Sequence, residues 1–122
     1  MITMRRKCLS IAALAFSLVL VLSGCGIQKP LYSWYNYDDV VYKYSKSHTS
    51  EDRENLIKTY EKLINEQRGS RGAVPPGIYA EYGYLLLKEG KQEEGLTLLK
   101  KEVALYPESA PFVGRIIKQF EK

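Results

Sequence analysis

The chain has 122 residues, 45% of them hydrophobic and 26% charged, with 18 Lys+Arg against 14 Asp+Glu. That length holds one small domain and excludes a multi-domain enzyme. Three of the cations, Arg5, Arg6 and Lys7, precede an apolar run; 18 less these three leaves 15 bases against 14 acids, so the basic balance is no sign of nucleic-acid binding.

Arg5-Arg6-Lys7 forms a positive leader, and residues 9–22 are an uncharged apolar stretch of 14 residues. This is the length of a signal-peptide core, short of the about 20 residues of a transmembrane helix. The stretch ends in Leu22-Ser23-Gly24-Cys25, which resembles the bacterial lipobox. The resemblance implies a lipoprotein signal peptide over residues 1–24, cleavage before Cys25, a diacylglycerol on the Cys25 thiol and an acylated new amino terminus. Two or more acyl chains hold a protein to a bilayer almost irreversibly, at roughly 0.8 kcal/mol per buried CH₂. Gly26 stands where inner-membrane retention commonly uses aspartate, so the expected location is the outer membrane, most simply its periplasmic face. Cys8 leaves with the signal, and a lipidated Cys25 leaves the mature chain with no disulfide, free thiol or cofactor beyond the lipid. Residues 25–33 read as the anchor and a membrane-proximal linker, and residues 34–122 as the folded domain.

The domain is predicted to be all-α, with five helices in chain order. Over residues 34–46, Trp34, Tyr37, Val41 and Tyr44 recur on one helical face. Thr49 and Asp52 form a capping signature for a second helix, with Leu56, Tyr60, Leu63, Ile64 and Gln67 as its stripe. Residues 68–77, rich in glycine and proline, are a loop. A third helix spans residues 78–89 and ends at Gly90; a fourth spans 91–105, with Leu96, Leu99, Val103 and Tyr106 in a stripe and Pro107 as its stop. Ser109 is the expected N-cap of a last helix whose inward face is Phe112, Ile116 and Phe120.

The segment 76–109 resembles one tetratricopeptide repeat. Tyr79 takes its aromatic position, Gly83 and Gly95 its small packing positions, Gly90 its turn and Pro107 its terminal proline; Glu102 departs from it, standing where the repeat prefers alanine. The resemblance implies two tetratricopeptide-like hairpins and a C-terminal capping helix, the first hairpin being a degenerate relative. The lipobox, residues 30–37 (Pro-Leu-Tyr-Ser-Trp-Tyr-Asn-Tyr), residues 74–84 and Leu105-Tyr106-Pro107-Glu108-Ser109 together resemble DUF4810, a family of small Gram-negative lipoproteins without an assigned activity. Its members are often encoded beside a curli-secretion-channel-like lipoprotein, which implies a shared outer-membrane assembly.

No residue pattern supports catalysis. His48 is the sole histidine, which leaves no metal-ligand set. Asp38-Asp39 and Glu93-Glu94 are adjacent carboxylates pointing about 100° apart on a helix, not a facing acid and base. The glycines of residues 68–77 lack phosphate-loop spacing. No small-molecule substrate is expected.

Tyrosine is the unusual feature: ten, all after residue 25. Tyr37, Tyr44, Tyr60, Tyr79, Tyr82 and Tyr106 fall on inward stripes, whereas Tyr35, Tyr42 and Tyr84 do not. By the repeat resemblance a concave groove would be lined by Ala80, Tyr84, Leu87 and Lys88, and by analogy by Tyr35, Asp39, Tyr42 and Lys43. Exposed aromatic and long side chains grouped on one surface are typical protein-binding anchors; the other account of these residues is packing on the C-terminal helix or the linker. The carboxylate clamp of chaperone-binding repeats is absent. The expected function is a non-enzymatic adaptor that helps assemble or localise a secretion-channel-like envelope complex. The alternative is a structural or stress lipoprotein contacting peptidoglycan or lipid without a dedicated protein partner.

Overall fold

The computed structural model describes residues 1–4, 7, 9, 16 and 26–122. The signal-peptide cleavage site and Cys25 lie outside the described residues. The domain is all-α: α1 (Tyr37–Ser47), α2 (Ser50–Asn65), α3 (Ile78–Lys88), α4 (Gln92–Leu105), a 3₁₀ turn (Pro107–Ser109) and α5 (Ala110–Phe120). Helices α1 and α2 form one hairpin, α3 and α4 a second and much tighter one, and α5 folds back onto α4.

Each boundary has a local cause. His48 takes up a left-handed conformation (φ 49°) and its N–H returns to the Tyr44 carbonyl, which ends α1. Thr49 then caps α2: its hydroxyl accepts from the Asp52 N–H at 3.1 Å and donates to the Asp52 carboxylate at 2.7 Å. Gly90, at φ 81°, turns the chain between α3 and α4, a conformation that only glycine adopts without strain.

Three boundaries differ from expectation. The first helix starts at Tyr37 instead of Trp34, because Tyr35-Asn36 is a turn, with Tyr35 at φ 51° and the Tyr37 N–H returning to the Trp34 carbonyl. Gln67 lies beyond α2, its amide bonding Ser33 instead of filling a stripe. Ser109 makes no side-chain cap; its hydroxyl donates to the Tyr106 carbonyl at 2.7 Å, because Pro107 opens a 3₁₀ turn that carries the chain into α5.

Two apolar clusters share α3. The first joins Val40, Leu56, Tyr60, Leu63, Val74 and Ile78; the second joins Leu87, Leu99 and Val113, with Ala80, Leu96, Val103, Ile116, Ile117 and Phe120 packed around them. Fully burying a leucine such as Leu63 or Leu99 contributes about 2 kcal/mol. The α5 stripe is therefore Val113, Ile116, Ile117 and Phe120, and Phe112, expected on that face, is 66% exposed. In the second hairpin Gly83 and Gly95 face one another. A Cβ built on Gly83 would lie 2.8 Å from the Gly95 carbonyl oxygen, and one on Gly95 would lie 2.7 Å from that of Gly83.

Glu102 is 2% exposed. Its Oε1 accepts the Gly77 N–H at 2.8 Å, which satisfies a donor at the start of α3, while Oε2 has no hydrogen-bond partner. The repeat pattern's alanine position is thus a strut between α4 and the loop before α3.

The segment expected as a linker is tied down from Pro30 onward. The Pro30 carbonyl accepts from the Ser70 N–H at 2.9 Å and the Leu31 carbonyl from the Arg71 N–H at 3.1 Å. Ser33 exchanges two hydrogen bonds of 3.0 Å with the Gln67 amide. Gly69 permits the approach: a Cβ there would collide with the Leu31 carbonyl oxygen. The Tyr32 hydroxyl lies 3.2 Å from that of Tyr106, which itself donates to the Val74 carbonyl at 2.6 Å.

Candidate functional site: a cleft between α1, α2 and α3

The inter-hairpin junction leaves an open cleft of about 550 Å³. Buried Leu56 and Tyr60 of α2 form its floor, Val41 and Tyr44 of α1 and Leu85 of α3 its half-buried walls. Exposed Tyr84 and Lys88 stand at the rim on the α3 side, and His48 closes the α1 end. At that same end an Arg53–Glu89 ion pair joins the first turn of α2 to the C-cap of α3, with Lys91 at 3.9 Å from the same carboxylate.

The junction is held by tyrosine hydroxyls around carboxylates. Glu81 accepts from Tyr37 at 2.6 Å and from Tyr60 at 3.1 Å, and Glu61 accepts from Tyr82 at 3.3 Å. Burial first, and then donation to the Glu81 carboxylate, push the Tyr37 hydroxyl well above the usual phenol range. Burial likewise leads for Tyr60, followed by the negative charge of Glu81. These hydroxyls stay protonated at any physiological pH and act as fixed donors. Trp34, Tyr37, Tyr60 and Tyr82 form a continuous run of ring contacts, with centroids 5.4, 6.3 and 5.5 Å apart in turn, from the N-terminal segment across to α3.

The residues predicted to line one groove are dispersed. Tyr84 and Lys88 line the cleft, the Lys88 ammonium lying 5.7 Å from the Tyr84 ring centre. Leu87 is 5% exposed and Ala80 is packed beside it, both covered by the cluster that α4 and α5 complete. Lys43 faces a separate hollow on the other side of the α1–α2 hairpin, with Asn36, Val40 and Thr59. Tyr42 and Asp39 are exposed on α1 outside the cleft, Tyr42 beneath the Lys46 ammonium at 5.5 Å. Tyr35 precedes α1; its hydroxyl donates to the Glu66 carbonyl and Lys62 sits 4.4 Å from its ring centre. The covering of Ala80 and Leu87 overturns the continuous groove: α5 occupies the surface that the repeat analogy left open.

Sequence reasoning missed Val41, Tyr44, Ser45 and His48 as one cleft-lining face of α1. Their spacing of three, one and three residues is that of one helical face, on which Val41 and Tyr44 belong to the core edge and the cleft wall at once.

The family described as a domain of unknown function, DUF4810, matches residues 31–116. The chain belongs to the DUF4810 family. The matched region opens at the pinned segment, takes in the whole cleft and ends within α5. No curated protein and no solved structure matches. Among the described residues no helix is long and apolar enough to cross a membrane, and no group of three or more His, Cys, Asp or Glu could hold a metal ion.

Proposed function

We propose that this DUF4810 chain is a lipoprotein, acylated on Cys25 and held at the periplasmic face of the outer membrane, whose helical domain is a non-enzymatic protein-binding adaptor. The observation that carries the reading is the cleft: an apolar floor and walls, an exposed tyrosine at its rim and flanking cations, in about 550 Å³ between two hairpins. That composition suits one amphipathic helix or extended segment of a protein partner, with Tyr84 as the anchor that becomes buried on binding. The lipobox supports the anchor, and the family's association with a curli-secretion-channel-like lipoprotein supports an envelope partner, whose assembly or localisation the adaptor would serve.

The test is isolation of the full-length protein from detergent-extracted outer membranes, with co-purifying proteins identified by mass spectrometry. Tyr84→Ala should weaken recovery of a stoichiometric partner by about thirtyfold, as for a central aromatic anchor, with the helical circular dichroism unchanged. Equal recovery with the variant would remove the cleft from the proposal. A lone lipoprotein that co-sediments with cell wall would replace the adaptor with a structural role.

A further inference from the structure

The pinned N-terminal segment and the loop it pairs with share a chemistry that the cleft does not use. Residues 26–35 and 67–77 carry three cations, Lys29, Arg68 and Arg71, and no carboxylate. All three are exposed, and none takes part in an ion pair among the described residues. Ile27 is fully exposed and Leu31 is 61% exposed beside them. Backbone hydrogen bonds from Ser70 and Arg71 to Pro30 and Leu31 make the two segments one surface.

We propose that this surface lies against the anionic phospholipid headgroups of the bilayer that holds the chain, so that the domain has a fixed orientation on the membrane. The inference rests on acylation of Cys25. Because the chain is tied down from Pro30, only five Cα steps separate Cys25 from the folded domain, at most about 18 Å when extended and roughly 12 Å as a flexible coil. Pro30, where the folded surface begins, is therefore held about one and a half Debye lengths from the anchor as a coil and little more than two at full extension, with about 8 Å to each length at physiological ionic strength. Exposed Ile27 and Leu31 supply side chains that can enter the interface, as in other peripheral anchors. The cleft then faces sideways or away from the bilayer, available to a partner.

Trp34, the chain's single tryptophan, is 40% exposed next to this surface, with its ring 6.3 Å from that of Tyr32. It reports the contact directly. The full-length acylated protein is reconstituted into phosphatidylcholine vesicles with and without phosphatidylglycerol, each carrying a headgroup-bound quencher. Trp34 fluorescence should be quenched more strongly in the anionic vesicles. Each cation near such a surface is worth roughly fivefold in partition, so Arg68→Glu with Arg71→Glu should reduce the anionic-lipid-dependent quenching at least fivefold, and high salt should do the same. Both substitutions are at exposed positions, and an unchanged circular dichroism spectrum certifies the fold. Equal quenching of the parent and the variant, with acylated Cys25 verified by mass spectrometry, would overturn the surface alone. A Cys25 without acyl mass would overturn the anchor and the surface with it.

Discussion

Gly83→Ala tests the packing that defines the second hairpin. The added Cβ would meet the Gly95 carbonyl oxygen at 2.8 Å, the Leu98 Cβ at 3.1 Å and the Leu99 N at 3.2 Å. Two of these neighbours are backbone atoms, so no side-chain rotation relieves the contact. Reaching the 3.4 Å at which ordinary contact begins requires α3 and α4 to separate by about 0.6 Å there, since 3.4 less 2.8 is 0.6. A gap of that size forfeits about a quarter of the attraction between the atoms that line it, and Leu87, Leu99 and Val113 lie in the cluster beside it. Overpacking costs about 1–3 kcal/mol, and a rigid neighbour puts this site near 3. The better helix propensity of alanine returns about 1 kcal/mol, leaving a net destabilisation of about 2. Urea unfolding of the full-length protein in detergent, followed by helical circular dichroism, measures it. The double variant with Gly95→Ala should fall short of the summed single effects, because the first Cβ already separates the helices for the second. A Gly83→Ala protein as stable as the parent, or more so, would show that the helices are not in backbone contact.

Glu102→Ala leaves the Gly77 N–H without its acceptor at the start of α3 and opens a cavity under the loop. Together these should cost about 2–4 kcal/mol in the same urea assay; an unchanged midpoint would mean that the strut carries no stability. Tyr37, Tyr60 and Tyr106 are all held above the ordinary phenol value of 10.0, burial being the leading cause for each. A group raised in the folded state contributes stability that is intact below the unfolded value and lost as pH climbs beyond it, so the protein should weaken above about pH 10. Phenolate absorbance should show these hydroxyls ionising only as helical circular dichroism is lost, whereas all ten tyrosines titrating with the fold intact would contradict their burial.

The residues that short-range rules govern were legible in the sequence. The Thr49–Asp52 cap, the Gly90 turn and the ends of α4 follow from propensities and spacings acting within one or two turns of chain, whereas the Gly83–Gly95 contact between two helices was implied only by the repeat resemblance. The phase of α5 was less so. Phe112 and Val113 are equally apolar neighbours, and only the position of α4 decides that Val113 turns inward.

The candidate site divides in the same way. Tyr84 and Lys88 were readable as exposed positions of α3, and the structure keeps them in the cleft. Ala80 and Leu87 sit on the same helix but pack into the cluster that Leu99 of α4 and Val113 of α5 complete, because α5 folds back over that face. The pinning of Pro30–Ser33 was equally hidden, since it depends on Gln67, Gly69 and Ser70 arriving from more than thirty residues away. The sequence by itself determined an all-helical domain and those helix ends that a cap or a glycine turn sets, because hydrogen-bonded turns and apolar periodicity are properties of neighbouring residues. Which faces remain open to a partner or a membrane was decided only by tertiary structure, because exposure depends on what the distant ends of the chain come back to cover.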